Sequence, residues 1–212
     1  MPAVSAAREL PRRDGGPASR VVQRRGSLVR RSRARLLVLG LAPGLAGANR
    51  TGRPFTGAGA GALLYATLGR FGFAEGASDD RSGDGLRLLD CMVTNAVRCV
   101  PPANRPTAAE VAACRPFLAA RLAALPRLRA VVCLGRIAHE ALLRALGLRA
   151  ADHAFAHGAR HDLAGAGGSR VRTVAFDSYH CSRYNVNTGR LTVPMFEAVF
   201  AAARSHLGTA AR

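Results

Sequence analysis

The chain contains no lysine and no tryptophan, and all 31 of its basic residues are arginine. Uniform arginine fits GC-rich coding, so the choice of Arg over Lys carries little mechanistic weight. Acid is scarce as well: 13 carboxylates leave a formal charge of +18. That balance favours a polyanionic partner, nucleic acid first, with a solvated basic surface as the plainer reading. No apolar run approaches the roughly 20 residues of a membrane-spanning helix, and no stretch has the long apolar centre of a secretory signal. There is no C-x-x-C pair, and no cysteine precedes Cys91. The five cysteines (Cys91, Cys99, Cys114, Cys133 and Cys181) are an odd number. Without a secretory signal, a disulfide framework is not expected. Cys91 and Cys133 lie in apolar, strand-like runs and read as small core residues.

What is present suffices for one domain: 212 residues, 49% of them hydrophobic. Residues 1–35 hold ten Arg against Glu9 and Asp14, with little apolar periodicity. The folded domain is expected over residues 35–212, and residues 1–34 as a poorly packed basic segment. That segment reads as a nucleic-acid-binding arm, a transit peptide, or a stretch that is not the domain's native N-terminus.

Arg35–Leu41 (RLLVLGL) is a short apolar run closed by Gly-Pro, the pattern of a buried parallel strand. A Gly-rich loop follows, then helical apolar spacing over Ala62–Phe71. Leu86–Val97 is a second strand region ending in Thr94-Asn95-Ala96. Thr107 with Glu110 three residues on is a capping-box pattern, starting a helix that runs to about Ala124. Arg129–Leu134 reads as a third strand and Gly135–Gly147 as a helix. Ala151–Gly168 reads as a His-rich loop or small ribbon, Arg170–Phe176 as a fourth strand and Pro194–Leu207 as the last helix. Alternation of this kind predicts an α/β fold: a three-layer α/β/α sandwich around a central, mainly parallel four-stranded sheet.

Unusual polar groups follow three strand ends: Asn49–Arg53, Asn95 and His180. Ligand sites of open α/β sheets lie at that end of the strands. Phe55 is an aromatic among glycines beside the first of these groups. A flat ring, an amide and an imidazole converging on one pocket suit a planar heterocycle. The ring stacks on its face, the amide pairs with its edge, and the imidazole meets charge developing on a carbonyl oxygen. The Gly57–Gly61 run lacks G-x-x-x-x-G-K-[ST], so it reads as turn and packing glycine rather than a phosphate cradle. His153, His157 and His161 are four apart, as metal ligands on a helix would be, but Gly158 argues against that helix. His139 reads as a packed or surface histidine on its helix. Cys181 beside His180 does not make a nucleophile pair, since neighbours on extended chain point opposite ways.

These motifs resemble the uracil-DNA glycosylase superfamily, specifically its family 5 (type b) enzymes. GLAPGLAGANRTGRPFTG at Gly40–Gly57, TNAVRCVPPANRPT at Thr94–Thr107 and YHCSRYNVNTGRLT at Tyr179–Thr192 are similar to that family's motifs. So are LGRIAHEALL at Leu134–Leu143 and HAFAHGARH at His153–His161, and the likeness spans roughly Arg35 to Leu207. The resemblance implies a monomeric, cytoplasmic, nucleoid-associated hydrolase of base excision repair. It would act on DNA containing uracil or other deaminated bases. Phe55 would stack on uracil, Asn95 would read its N3–H and O4 edge, and His180 would stabilise charge at O2. Gly40 and Ala42 would line the pocket by their backbone, with Asn185 beside it. Arg53, Ser182, Arg183 and Arg190 would grip DNA.

The sequence departs from the family in two places. The family holds a [4Fe–4S] cluster on four Cys; Cys99 and Cys114 match its second pair, and the first pair, a C-x-x-C, has no counterpart. Ala58 stands where the family has an acidic residue that orients water. Asn49 or a backbone carbonyl is left as the candidate for that task. A DNA-binding or damage-sensing protein without catalysis is the rival expectation on the same scaffold.

Overall fold

A computed structural model describes residues 33–44, 53–56, 59–76, 85–102, 105–163 and 173–209. Residues 1–32 lie outside it, as do Asn49 and Ala58. Seven strands are formed among the described residues: β1 (Leu36–Gly40), β2 (Ala74–Glu75), β3 (Arg87–Leu88), β4 (Cys91–Asn95), β5 (Ala130–Leu134), β6 (Arg160–Asp162) and β7 (Val174–Ser178). Five helices join them: α1 (Ala60–Arg70), α2 (Ala108–Ala123), α3 (Arg136–Ala145), α4 (Arg183–Asn187) and α5 (Val193–Thr209).

The main sheet runs β4-β1-β5-β7-β6, with β4, β1, β5 and β7 parallel and β6 antiparallel on β7. It therefore has five strands rather than the four expected. The extra strand is Arg160–Asp162, three polar residues with no apolar alternation to announce them. The second expected strand also divides: β3 pairs antiparallel with β2, and only Cys91–Asn95 joins the main sheet. The break falls at Asp90, whose φ is +51°, and whose carboxylate pairs with Arg35 at the start of β1. The fourth strand extends past Phe176 to Ser178.

Because side chains alternate across a strand, the buried runs feed two cores. Leu36, Val38, Val132 and Phe176 pack with Leu64 and Leu68 of α1 and Phe196 and Phe200 of α5. Leu37, Leu39, Val131 and Ala175 pack with Val111 and Leu118 of α2 and Leu142 and Leu143 of α3. These are the three expected layers. The Thr107 capping box forms reciprocally: the Glu110 N–H reaches Thr107 Oγ1 at 3.2 Å, and the Thr107 N–H reaches Glu110 Oε2 at 2.7 Å. Among the described residues, no helix is long and apolar enough to cross a membrane.

Candidate functional site

Strand order places the ends of β4, β1, β5 and β7 side by side. Asn95 closes β4 in register with Gly40 of β1, Gly135 follows β5, and His180 lies two residues past β7. At about 4.8 Å per strand, the row from Asn95 to His180 spans roughly 14 Å of backbone.

Gly40 is where the groups converge. A Cβ added there would lie 2.4 Å from Phe55 Cζ and 2.5 Å from Asn95 Oδ1. The tips of the ring and the amide thus meet over a position that only glycine leaves open. Phe55 also stacks on His180, with ring centroids 5.8 Å apart and planes at 29°. Its turn is unusual, since Phe55 has φ +66°, a region bulky side chains avoid. Two bonds hold it: Tyr65 Oη donates to the Pro54 carbonyl at 2.7 Å, and Thr56 Oγ1 to the Arg53 carbonyl at 2.9 Å. The Arg53 guanidinium lies 5.9 Å from the Tyr65 ring centre.

The backbone of His180 is fixed from both sides. The Asn185 amide donates to the His180 carbonyl at 2.8 Å, and the Gly135 N–H donates to the Ser178 carbonyl at 2.8 Å. Burial lowers the His180 imidazole below the ordinary histidine range, so the ring is neutral near neutral pH. A neutral ring held this way offers an N–H without carrying a charge of its own. Cys181 faces the other way, packed with Leu191 and Phe196, and burial pushes its thiol up to about 12. Its thiol keeps its proton at neutral pH.

Past His180 the loop folds into α4. This short helix was not foreseen, though Ser182 caps it by accepting from the Asn185 N–H at 3.3 Å. Arg183 lies against Gly59 at the mouth of α1, where an added Cβ would meet its Nε at 2.4 Å. Arg190 sets its guanidinium 4.9 Å from the Tyr179 ring centre. Tyr184, which sequence reasoning passed over, is 71% exposed on the same helix, with Val186 beside it. Ala42, after β1, is half-buried and packs against the second core. The structure thus brings Phe55 and Asn95 together over Gly40 and stacks Phe55 on His180, while Asn185 bonds the His180 carbonyl, Ser182 caps α4, Arg183 lies against Gly59 and Arg190 against Tyr179. Arg53 adjoins through the Phe55 turn.

The cysteines do not furnish a four-thiolate cluster. Cys91 and Cys181 are buried in one core and Cys133 in the other, which leaves exposed Cys99 and half-buried Cys114. Two ligands cannot complete a [4Fe–4S] site. The segment holding the three histidines is not helical, as Gly158 argued: His153 follows a short 3₁₀ turn, His157 precedes Gly158 at φ +79°, and His161 is on β6.

Comparison with known proteins bears on the same residues. The sequence model of the Uracil DNA glycosylase superfamily matches residues 28–204. A type-5 uracil-DNA glycosylase of Thermus thermophilus is 47% identical over 175 residues, covering 82% of this chain and 77% of that protein. One from Pyrobaculum aerophilum is 43% identical, covering 82% and 73%. A type-4 uracil-DNA glycosylase of Pyrobaculum aerophilum is 39% identical over 116 residues, covering 54% and 51%. With its motifs gathered at one end of the sheet and the match running through nearly the whole fold, the chain belongs to the uracil DNA glycosylase superfamily.

Proposed function

We propose that the chain removes uracil from DNA by hydrolysing the bond between uracil N1 and the deoxyribose C1′. The observation that carries this is the meeting of Phe55 and Asn95 over Gly40, with Phe55 stacked on His180, in a chain 47% identical to a type-5 uracil-DNA glycosylase. A base inside the duplex stack is out of reach, so the nucleotide must be extruded into the pocket. Phe55 stacks on its face. Asn95 accepts from N3–H through Oδ1 and donates to O4 through Nδ2, an edge that cytosine does not present.

As the N1–C1′ bond breaks, its electron pair leaves with uracil and spreads onto O2, while the sugar becomes cationic. His180 donates an N–H to O2 as that charge grows. Removing one such preorganised donor typically costs about 2.7–4 kcal/mol in the transition state. Water then adds to C1′ and gives up a proton, which balances the uracil anion and leaves neutral uracil and an abasic sugar. Asn49 or a backbone carbonyl is the group proposed to orient that water; Asn49 and Ala58 are outside the described residues.

Arg183 and Arg190 supply positive charge beside the pocket, and exposed Tyr184 supplies a ring on which a neighbouring base can stack. The test is a labelled duplex carrying one uracil, incubated with protein and then treated with alkali. Strand cleavage at the uracil, lost in His180→Ala, is the expected result. Folded protein that binds the duplex in a salt-sensitive way and yields no cleavage overturns the proposal in favour of a DNA-binding role alone.

A further inference from the structure

Three residues before His180, the sheet buries a carboxylate. Asp177 on β7 is 0% exposed, and both its oxygens face imidazoles from other elements. His139 Nδ1 of α3 lies 2.8 Å from Oδ1, and His161 Nε2 of β6 lies 2.9 Å from Oδ2. His139 is itself 1% exposed, and its Nε2 lies 2.8 Å from the His153 carbonyl. A carbonyl can only accept, so His139 Nε2 carries a hydrogen. Its Nδ1 faces a carboxylate and is satisfied by a second hydrogen, which makes the ring an imidazolium. Burying a lone carboxylate is costly, and this arrangement cancels its charge while using both oxygens.

The surrounding charges agree. Burial alone would lower His139, but the hydrogen bond and charge of Asp177, the His153 carbonyl and nearby Glu140 outweigh it and raise the group. Cys133 Sγ on β5 shares the pocket, within 4.8 Å of the His139 and Asp177 donor atoms, a grouping that could hold a metal ion. However, burial and the Asp177 charge raise its thiol well above the ordinary range, so it keeps its proton. Both His139 nitrogens are already engaged. The group is better suited to holding a proton than a metal.

The cluster ties down the strap from His153 to Asp162. That strap in turn sets the backbone entering His180. The Gly158 N–H donates to the Asp177 carbonyl at 2.8 Å, and the Asp177 N–H to the Ala159 carbonyl at 2.9 Å. The Tyr179 N–H donates to His157 Nδ1 at 3.1 Å, and the two rings stack 5.0 Å apart. The next residue is His180.

We propose that Asp177, His139 as an imidazolium and His161 form a proton-holding clamp that positions His180. Asp177 and His139 are positioning residues, acting through the strap and Tyr179; the kinetic part of this inference rests on the proposed excision of uracil. Two measurements test it. Ring nitrogen NMR of the intact protein at pH 7 is expected to show both His139 nitrogens protonated, and one of them deprotonated in Asp177→Asn. A neutral His139 in the wild type, or stoichiometric zinc in the purified protein, overturns the clamp whatever the activity. The second is single-turnover uracil release beside duplex affinity for Asp177→Asn. The release rate should fall roughly 10- to 100-fold, the scale of an ångström of misplacement, with affinity within about twofold. His161→Ala, which leaves the His139–Asp177 pair intact, should show a smaller fall of the same kind and serves where Asp177→Asn does not fold. An unchanged release rate in both folded variants, or in His161→Ala alone where Asp177→Asn does not fold, overturns the positioning role. If the wild type releases no uracil, the functional proposal fails and the NMR result still decides the clamp.

Discussion

Gly40→Ala should separate activity from stability. The new methyl would sit 2.4 Å from Phe55 Cζ and 2.5 Å from Asn95 Oδ1, both closer than carbon contacts allow. The β1 backbone cannot retreat, since Leu36–Leu39 are fully buried and paired on both sides by β4 and β5. The ring and the amide must move, and both are side-chain tips. The stability loss should therefore lie at the low end of the roughly 1–3 kcal/mol typical of overpacking. At about 2–4 °C per kcal/mol for a domain of this size, the melting temperature should drop by only a few degrees. The catalytic loss should be much larger, because the displaced tips are the groups proposed to stack on and read the base. A misplacement near an ångström costs on the order of 100-fold, or about 2.7 kcal/mol. Single-turnover uracil release, with thermal unfolding on the same preparation, makes the comparison. A variant that keeps the full rate would refute the claim that Phe55 and Asn95 form the pocket over Gly40.

Three further outcomes follow from the same geometry. His139 is raised in the folded state, so its contribution to stability is complete below the unfolded value of about 6.5 and is lost as pH rises through the folded value. His139→Gln should thus cost more stability at pH 6 than at pH 9, read from denaturant midpoints; an equal cost at both would contradict the assignment. Tyr184→Ala should leave the unfolding midpoint within about 0.5 kcal/mol, since the ring is exposed, and weaken duplex binding by about 1–3 kcal/mol. Unchanged affinity would remove Tyr184 from the interface. Cys99→Ser with Cys114→Ser should alter neither thermal stability nor visible absorbance, and iron analysis of the parent protein should find none; stoichiometric iron would show that the cysteines do bind a cluster.

Much of this architecture was legible because it is local. The run Arg35–Leu41 announced β1, RAVVCL announced β5, and Thr107 with Glu110 announced the start of α2. The strand-end rule then places Asn95 and His180 at one edge of the sheet. What was missed is non-local or polar. β6 falls in the stretch that reads as a loop or small ribbon; it is Arg-His-Asp, and its place in the main sheet comes from pairing with β7 rather than from its own pattern. β7 continues through Asp177 because two imidazoles compensate the buried charge, and His139 lies 38 residues away in sequence. Helix α4 is five residues long, too short for periodicity, and its Ser182 cap was the only signal. Phe55 at φ +66° could not be read from sequence either, since its turn depends on Tyr65 reaching back to Pro54.

The most direct test of the central claim is free uracil itself, measured by mass spectrometry after one turnover on a uracil-containing duplex. Wild-type protein, His180→Ala and Asn95→Ala should be compared at equal folded concentration. Stoichiometric uracil from the wild type, with a rate about 100- to 1,000-fold lower in His180→Ala, is the predicted result. Equal release by wild type and both variants, or none from folded wild type, would contradict it.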